Sequence, residues 1–133
     1  MTVQKSELPA RILLIEDNEA NRRLMSDYLS YCGHSVCALS EGTQLDAVMQ
    51  QFRPQIILLD LKLPTIDGYT LLTQIRQRED WQTVPVIVVS AYAFQRDQQR
   101  ALELGARRYL VKPIRLSQLT DAIREELEPG KSE

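Results

Sequence analysis

Residues 53–68 read RPQIILLDLKLPTIDG, and the apolar centre of this stretch indicates the fold class. The run Ile56 to Leu59 contains no polar residue and ends at Asp60. A short run without polar alternation is typical of a central parallel strand that is covered on both faces. A second run of this kind lies at Val86 to Val89. The two runs predict a parallel sheet with helices on both sides.

Three further apolar runs and five helical patterns complete the alternation. The runs lie, in chain order, at 12–15, 36–39, 56–59, 86–89 and 109–111. The apolar faces of the predicted helices consist of Leu24, Met25, Tyr28, Leu29 and Cys32; Leu45, Val48, Met49 and Phe52; Leu71, Leu72 and Ile75; Ala101, Leu102 and Leu104; and Leu116, Leu119, Ile123 and Leu127. We therefore expect one doubly wound α/β domain, (βα)5, with a five-stranded parallel sheet of order 2-1-3-4-5. The domain should span residues 11–127, with short tails at 1–10 and 128–133 whose ends are frayed.

Composition and charge exclude several classes of protein. The 133 residues carry 16 Lys and Arg against 18 Asp and Glu, so there is no global basic field for direct binding of nucleic acid. The apolar runs are too short for insertion into a membrane, and the first residues lack the apolar stretch of a signal peptide. Cys32 and Cys37 do not make a disulfide framework. We expect a cytoplasmic protein with free thiols.

Polar residues stand at the carboxyl ends of the predicted strands, where a sheet of this kind has its site. The first strand is followed by Glu16 and Asp17 and the third by Asp60, while Ser90 ends the fourth and Lys112 follows the fifth. Three neighbouring carboxylates repel one another unless a cation lies among them, and oxygen ligands favour Mg²⁺ or Mn²⁺. A carboxylate beside a metal, an ammonium group and a hydroxyl is equipped for phosphoryl transfer.

These residues resemble the receiver domain of two-component response regulators. The motifs are Glu16-Asp17, DLKLPTIDG with Pro64 and Gly68, Ser90-Ala91, and GARRYLVKP with Tyr109 and Lys112-Pro113. The resemblance runs from about Arg11 to Leu127. It is closest in architecture to the single-domain, CheY-like regulators of chemotaxis and sporulation, and it implies a flavodoxin/CheY-like fold.

The resemblance implies how the acidic residues act. Asp60 would accept the phosphoryl group from a histidine kinase or a histidine phosphotransfer protein. Asp17 would bind Mg²⁺ directly, Glu16 would act mainly through water, and the main-chain carbonyl of Lys62 would be a further ligand together with Asp60.

The resemblance also implies a phosphorylation-dependent switch. Lys112 would pair with the phosphoryl group, Ser90 would move to hydrogen-bond it, and Tyr109 would swing inward. A cis peptide bond would precede Pro113. The expected output is binding of a downstream protein at the face of the fourth helix, fifth strand and fifth helix. We expect no output domain in this chain and a self-phosphorylating and self-dephosphorylating switch rather than an enzyme that acts on a separate substrate.

Two side chains at the rim of the expected cleft suggest slow loss of phosphate. Lys62 lies two residues after Asp60, and Tyr92 lies two residues after Ser90. A long cation and a bulky ring there would obstruct the water that must attack in line.

Three other functions fit the architecture less well. A phosphohydrolase of the haloacid dehalogenase type needs an acidic residue two positions after its nucleophile, and this chain has Lys62 there. A flavodoxin-like carrier of FMN needs a phosphate loop after the first strand, where this chain has the acidic stretch 16–19. A degenerate receiver that only binds partners is disfavoured because the acidic residues are all present.

Several other polar and aromatic residues have plainer interpretations. Asp67, and either Asp17 or Asn18, are expected to cap helices. His34, Cys32 and Cys37 are read as packing residues, and Trp81 as half-exposed. Four arginines can form either a solvated face or a basic docking patch for an acidic partner: Arg96, Arg100, Arg107 and Arg108.

Overall fold

The computed structural model describes residues 8–128, in which five strands alternate with five α-helices. The expected frayed ends fall almost wholly outside these residues. The strands are β1 (Arg11–Ile15), β2 (Ser35–Leu39), β3 (Ile56–Leu59), β4 (Val86–Ser90) and β5 (Arg108–Val111). The helices are α1 (Glu19–Tyr31), α2 (Leu45–Gln51), α3 (Gly68–Gln77), α4 (Gln95–Glu103) and α5 (Leu116–Leu127), with a 3₁₀ turn at Glu79–Trp81.

The strands form one parallel sheet of order β2-β1-β3-β4-β5, which confirms the predicted topology. In the register of the sheet, Ile12 of β1 is paired with Val36 of β2 on one side and with Ile56 of β3 on the other. The chain adds β2 on one side of β1 and then adds β3 on the other side. The carboxyl ends of the parallel strands β1 and β3 therefore lie side by side at the point where the strand order switches.

Two hydrophobic layers cover the sheet. One face packs against α1 and α5 through Met25, Leu29, Leu119 and Ile123. The other face packs against α2, α3 and α4 through Leu45, Met49, Leu71, Leu72, Ile75 and Ala101. Every residue of β3 and β4 is buried, as expected for central strands covered on both sides.

The helix ends follow the expected capping residues. The Asn18 side chain accepts a hydrogen bond from the Asn21 N–H, and the Asp67 side chain accepts one from the Thr70 N–H. Gly33, at φ 105°, follows the last turn of α1 in the left-handed region.

Three apolar residues differ from the sequence-based expectation. The helical pattern places Leu24 of α1 and Leu102 of α4 on buried faces, but they are 56% and 47% exposed. Each lies beside a residue that the helix does bury, so the apolar stripe is narrower than the sequence pattern suggested. Trp81 was expected to be half-exposed and is buried, because the 3₁₀ turn folds its ring into the layer beside α3 while Arg78 stacks on it.

His34 has the structural role that was expected. Its side chain is buried, and Nδ1 accepts the Ala10 N–H at 3.0 Å. Burial lowers the pKa of His34 from its ordinary value. Cys32 and Cys37 are both free thiols, and Cys32 is buried.

The loop between β3 and α3 contains a strained turn. Thr65 has φ 69°, and the Ile66 N–H donates to the Pro64 carbonyl at 2.7 Å, which closes a γ-turn. A β-branched residue rarely adopts a positive φ. At the end of this loop Gly68 lies against the backbone of Asp60 and Leu61, where a Cβ would collide.

Candidate functional site

Backbone hydrogen bonds fix the residues that follow the strands. The Glu16 N–H donates to the Leu39 carbonyl and the Asp60 N–H donates to the Ile15 carbonyl, both at 3.0 Å. The Lys112 N–H donates to the Ser90 carbonyl at 2.9 Å. The hydrogen-bond pattern of the sheet therefore continues to Glu16, Asp60 and Lys112, and it fixes the backbone position from which each of these side chains extends.

The ammonium group of Lys112 joins two carboxylates that come from different strands. Its Nζ donates to Glu16 Oε1 at 2.6 Å and to Asp60 Oδ2 at 2.9 Å, and both acids are buried. Burial works to lower the pKa of Lys112, but its hydrogen bonds to Glu16 and Asp60 and their charges outweigh burial and raise that pKa. Lys112 is therefore a fixed positive charge beside Asp60. The Lys112–Pro113 peptide bond is cis, as the resemblance implied.

Three carboxylates cluster at this edge of the sheet. Glu16, Asp17 and Asp60 each offer an oxygen, and these atoms lie within 4.8 Å of one another. Burial raises the pKa of Glu16, opposed by its hydrogen bonds to Lys112 and the Asn18 N–H. Asp17 is exposed and leaves the cluster open to solvent. An oxygen-only set of this size fits Mg²⁺ or Mn²⁺, with water completing the coordination.

Ser90 and Tyr109 meet at the segment that follows β4. The Ser90 Oγ, fully buried, accepts the Tyr92 N–H at 3.2 Å. The Tyr109 hydroxyl donates to the Tyr92 carbonyl at 2.7 Å. Burial raises the pKa of Tyr109, so its hydroxyl stays protonated and able to donate near neutral pH. The two side chains are thus joined through one residue of the β4–α4 loop.

The proposed rim residues differ in exposure. Lys62 is exposed, and its N–H donates to Asp60 Oδ1 at 3.3 Å. Tyr92 is half-buried and packs at the margin of the layer that contains α3 and α4.

Sequence reasoning missed a contact made by Arg22 of α1. Its Nη1 donates to the main-chain carbonyls of Glu16 at 2.9 Å and Asp17 at 3.2 Å. A signal was present in the sequence, because an arginine in the first turn of a helix can reach back to the preceding loop.

The four arginines differ in their partners. Arg107 and Arg108 pair with acids of α5: Glu126 accepts Arg108 Nε at 2.6 Å and Arg107 Nη2 at 3.2 Å, and Glu125 accepts Arg108 Nη1 at 2.9 Å. These pairs balance the charge of both arginines.

The arginines of α4 lie against aromatic rings instead. The Arg100 guanidinium lies 3.9 Å from the ring centre of Tyr69, whose hydroxyl donates to Asp97 at 3.0 Å. Arg96 lies 5.3 Å from the ring centre of Phe94, which is exposed.

Within residues 8–128, no helix combines the length and the apolar character that crossing a bilayer requires.

Comparison with known proteins places this geometry in a family. The model of the response regulator receiver domain matches residues 12–124. The polar-differentiation response regulator DivK of Brucella anthropi is 28% identical over 120 residues, which cover 90% of this chain and 98% of DivK.

Two solved structures with bound metal are also similar. The receiver domain of the sensor histidine kinase PA1611 from Pseudomonas aeruginosa PAO1, with magnesium coordinated in its active-site cleft, is 32% identical with a TM-score of 0.79; the match covers 88% of this chain and 96% of that one. The Mn²⁺-bound form of response regulator Rcp1 is 31% identical with a TM-score of 0.75, covering 94% and 98% of the two chains. The chain belongs to the family of response regulator receiver domains of two-component signalling.

Proposed function

We propose that the chain is a phosphorylation switch whose phosphoacceptor is Asp60. The observation that carries this proposal is the buried Asp60 carboxylate, held by Lys112 inside an acidic cluster that is open at Asp17. A carboxylate oxygen of Asp60 attacks the phosphorus of a phosphohistidine on a histidine kinase or phosphotransfer protein. The O–P bond forms while the P–N bond breaks, and the imidazole nitrogen leaves with the electron pair. The receiver unit in which this occurs spans residues 11–127.

The surrounding residues serve this transfer. Lys112 already donates to Asp60 Oδ2, so its charge lies where the negative charge of the phosphoryl group arrives. Glu16, Asp17, Asp60 and the main-chain carbonyl of Lys62 hold the metal in our proposal. Bound Mg²⁺ or Mn²⁺ supplies further neutralisation of that charge.

The readout passes through Ser90 and Tyr109. Ser90 hydrogen-bonds the phosphoryl group, and the shift reaches Tyr109 through the β4–α4 loop, to which both side chains are bonded. A downstream protein then binds the face of α4, β5 and α5. We place the switch in the cytoplasm and assign it no contact with nucleic acid and no separate substrate.

Intact mass spectrometry after incubation with a small phosphodonor tests the phosphoacceptor. We expect a gain of about 80 Da that requires Mg²⁺ and is absent in Asp60→Asn. Asp67→Asn is the matched control, because it removes a carboxylate from the same loop while Asn still caps α3. An adduct that persists in Asp60→Asn, or the absence of any adduct in folded wild type, contradicts the proposal.

Lys62 and Tyr92 slow the loss of the phosphoryl group in this proposal. Both lie beside the expected path of the attacking water, one exposed and one half-buried. Decay of the phosphorylated mass should be faster in the Lys62→Asn, Tyr92→Ala double variant than in wild type, and Lys62→Arg, which keeps a long cation, should decay as slowly as wild type. A double variant that decays no faster refutes the role of the rim.

A further inference from the structure

The segment between β1 and α1 carries two of the three clustered carboxylates. One of these carboxylates makes a hydrogen bond within the segment: Glu16 Oε2 accepts the Asn18 N–H at 3.0 Å. Asn18 in turn caps α1 through the Asn21 N–H at 2.9 Å. These bonds hold the two ends of the segment. The direction of the exposed Asp17 side chain depends on the backbone between them.

Arg22 holds that backbone from the helix. Its main-chain N–H donates to the Asn18 carbonyl at 2.9 Å, and its Nη1 donates to the carbonyls of Glu16 and Asp17. A single guanidinium nitrogen therefore joins two successive peptide units, the one before and the one after the Asp17 Cα. A charged donor makes a stronger hydrogen bond to a carbonyl than a neutral donor does.

We propose that Arg22 is a positioning residue of the metal site: it fixes the peptide units of Glu16 and Asp17 so that their carboxylates are set before the cation arrives. The inference rests on the proposed metal site. Without the guanidinium, the segment would have to be ordered when the metal binds, and that cost would weaken binding.

The charge of Arg22 acts in the opposite direction, because a guanidinium near a divalent cation repels it. That repulsion is small, since the Arg22 side chain is partly exposed and the segment faces solvent, where water and salt screen charges. The loss of two hydrogen bonds from a charged donor is the larger effect, and we expect metal binding to weaken roughly tenfold when they are removed.

Binding of Mn²⁺, followed by the electron paramagnetic resonance signal of the free ion, tests the proposal without any phosphoryl transfer. Arg22→Met should bind Mn²⁺ roughly tenfold more weakly than wild type. Arg23→Met is the matched control, because it removes the same charge from the next, exposed position of α1 and should bind as wild type or slightly more tightly. Arg22→Lys keeps the charge and a donor, and it should restore part of the affinity.

Phosphorylation then separates positioning from general damage. At saturating Mg²⁺, Arg22→Met should accept phosphate from a small phosphodonor at a rate close to that of wild type, because the cost lies in binding the metal. Binding of Mn²⁺ by Arg22→Met that is as tight as in wild type overturns the proposal, and so does an equal weakening in Arg23→Met. If wild type and Asp17→Asn bind Mn²⁺ equally weakly, the metal site itself is wrong, and the role of Arg22 is refuted with it.

Discussion

Replacing Glu126 by Gln should destabilise the protein, because Glu126 of α5 holds two arginines: Arg108, the first residue of β5, and Arg107, which precedes it. Its side chain is 6% exposed and accepts Arg108 Nε at 2.6 Å and Arg107 Nη2 at 3.2 Å. Hydrogen bonds between charged partners contribute about 1.5–3 kcal/mol when buried. The two arginines are 34% and 58% exposed, so solvent reduces the gain. We expect Glu126→Gln to lower the free energy of unfolding by about 1–2 kcal/mol.

The two pairs should differ in strength. A double-mutant cycle of Glu126→Gln with Arg108→Gln should give a coupling near 1 kcal/mol, since this pair is shorter and better covered. The cycle with Arg107→Gln should give about 0.3 kcal/mol, as is usual for exposed pairs. Glu125→Gln is the comparison variant: it removes the same charge from the neighbouring, 41% exposed position and breaks a single pair with Arg108, so it should destabilise the protein less than Glu126→Gln.

Urea unfolding measures these differences. The single tryptophan, Trp81, is buried, so its fluorescence reports global unfolding in every variant. The reasoning fails if the free energy of unfolding of Glu126→Gln differs from that of wild type by less than about 0.3 kcal/mol, which is the usual error of additivity. It also fails if the coupling to Arg107 equals or exceeds the coupling to Arg108.

Three further predictions concern strain and protonation. Thr65→Gly should stabilise the protein by about 0.5–2 kcal/mol in urea unfolding, because relief of the positive φ exceeds the entropy cost of glycine, and a loss of stability would contradict the strained turn. Burial in the folded state lowers the pKa of His34, so its contribution to stability should be fully present above pH 6.5 and should be lost as the pH falls through 6.5 toward the folded-state pKa. The free energy of unfolding of His34→Gln should lack this part of the pH dependence, and an unchanged pH dependence would refute the prediction. Burial and the hydrogen bond to Asp97 raise the pKa of Tyr69 to about 12, so its stabilisation is complete below pH 10 and is lost as the pH rises from 10 through 12. The difference in phenolate absorbance between wild type and Tyr69→Phe measures this pKa, and a midpoint near 10 would contradict both the burial of the hydroxyl and its hydrogen bond to Asp97.

The strands and their order could be predicted because both depend on local and general rules. Runs such as Ile56 to Leu59 have one stable environment, between two layers, and right-handed crossovers restrict the order of the strands. The strand ends then placed Glu16, Asp60 and Lys112 at one edge. The structure brings these three together within hydrogen-bond distance.

Contacts between distant segments could not be predicted. The pairing of Glu126 with Arg107 and Arg108 depends on how α5 is rotated over β5, and no sequence pattern specifies that rotation to within one side chain. The same limit explains why Leu102 was expected to be buried. An apolar face of α4 that is one residue wider than the buried face still fits the helical period. The link from Arg22 to the loop depends on the rotamer of a long side chain, which tertiary contacts select.

The pairing of α1 with α5 on one face of the sheet has a consequence for synthesis on the ribosome. Met25 and Leu29 of α1 share their hydrophobic layer with side chains of α5. A nascent chain that has emerged only as far as β5 therefore still exposes Met25 and Leu29. The opposite layer uses α2, α3 and α4 and can assemble earlier. Domains generally fold as units as the chain grows, and uncovered apolar surface makes partly synthesised chains prone to aggregation. Release of α5 from the ribosome is therefore the event that completes the fold, and truncation before Leu119 should leave a chain that chaperones bind.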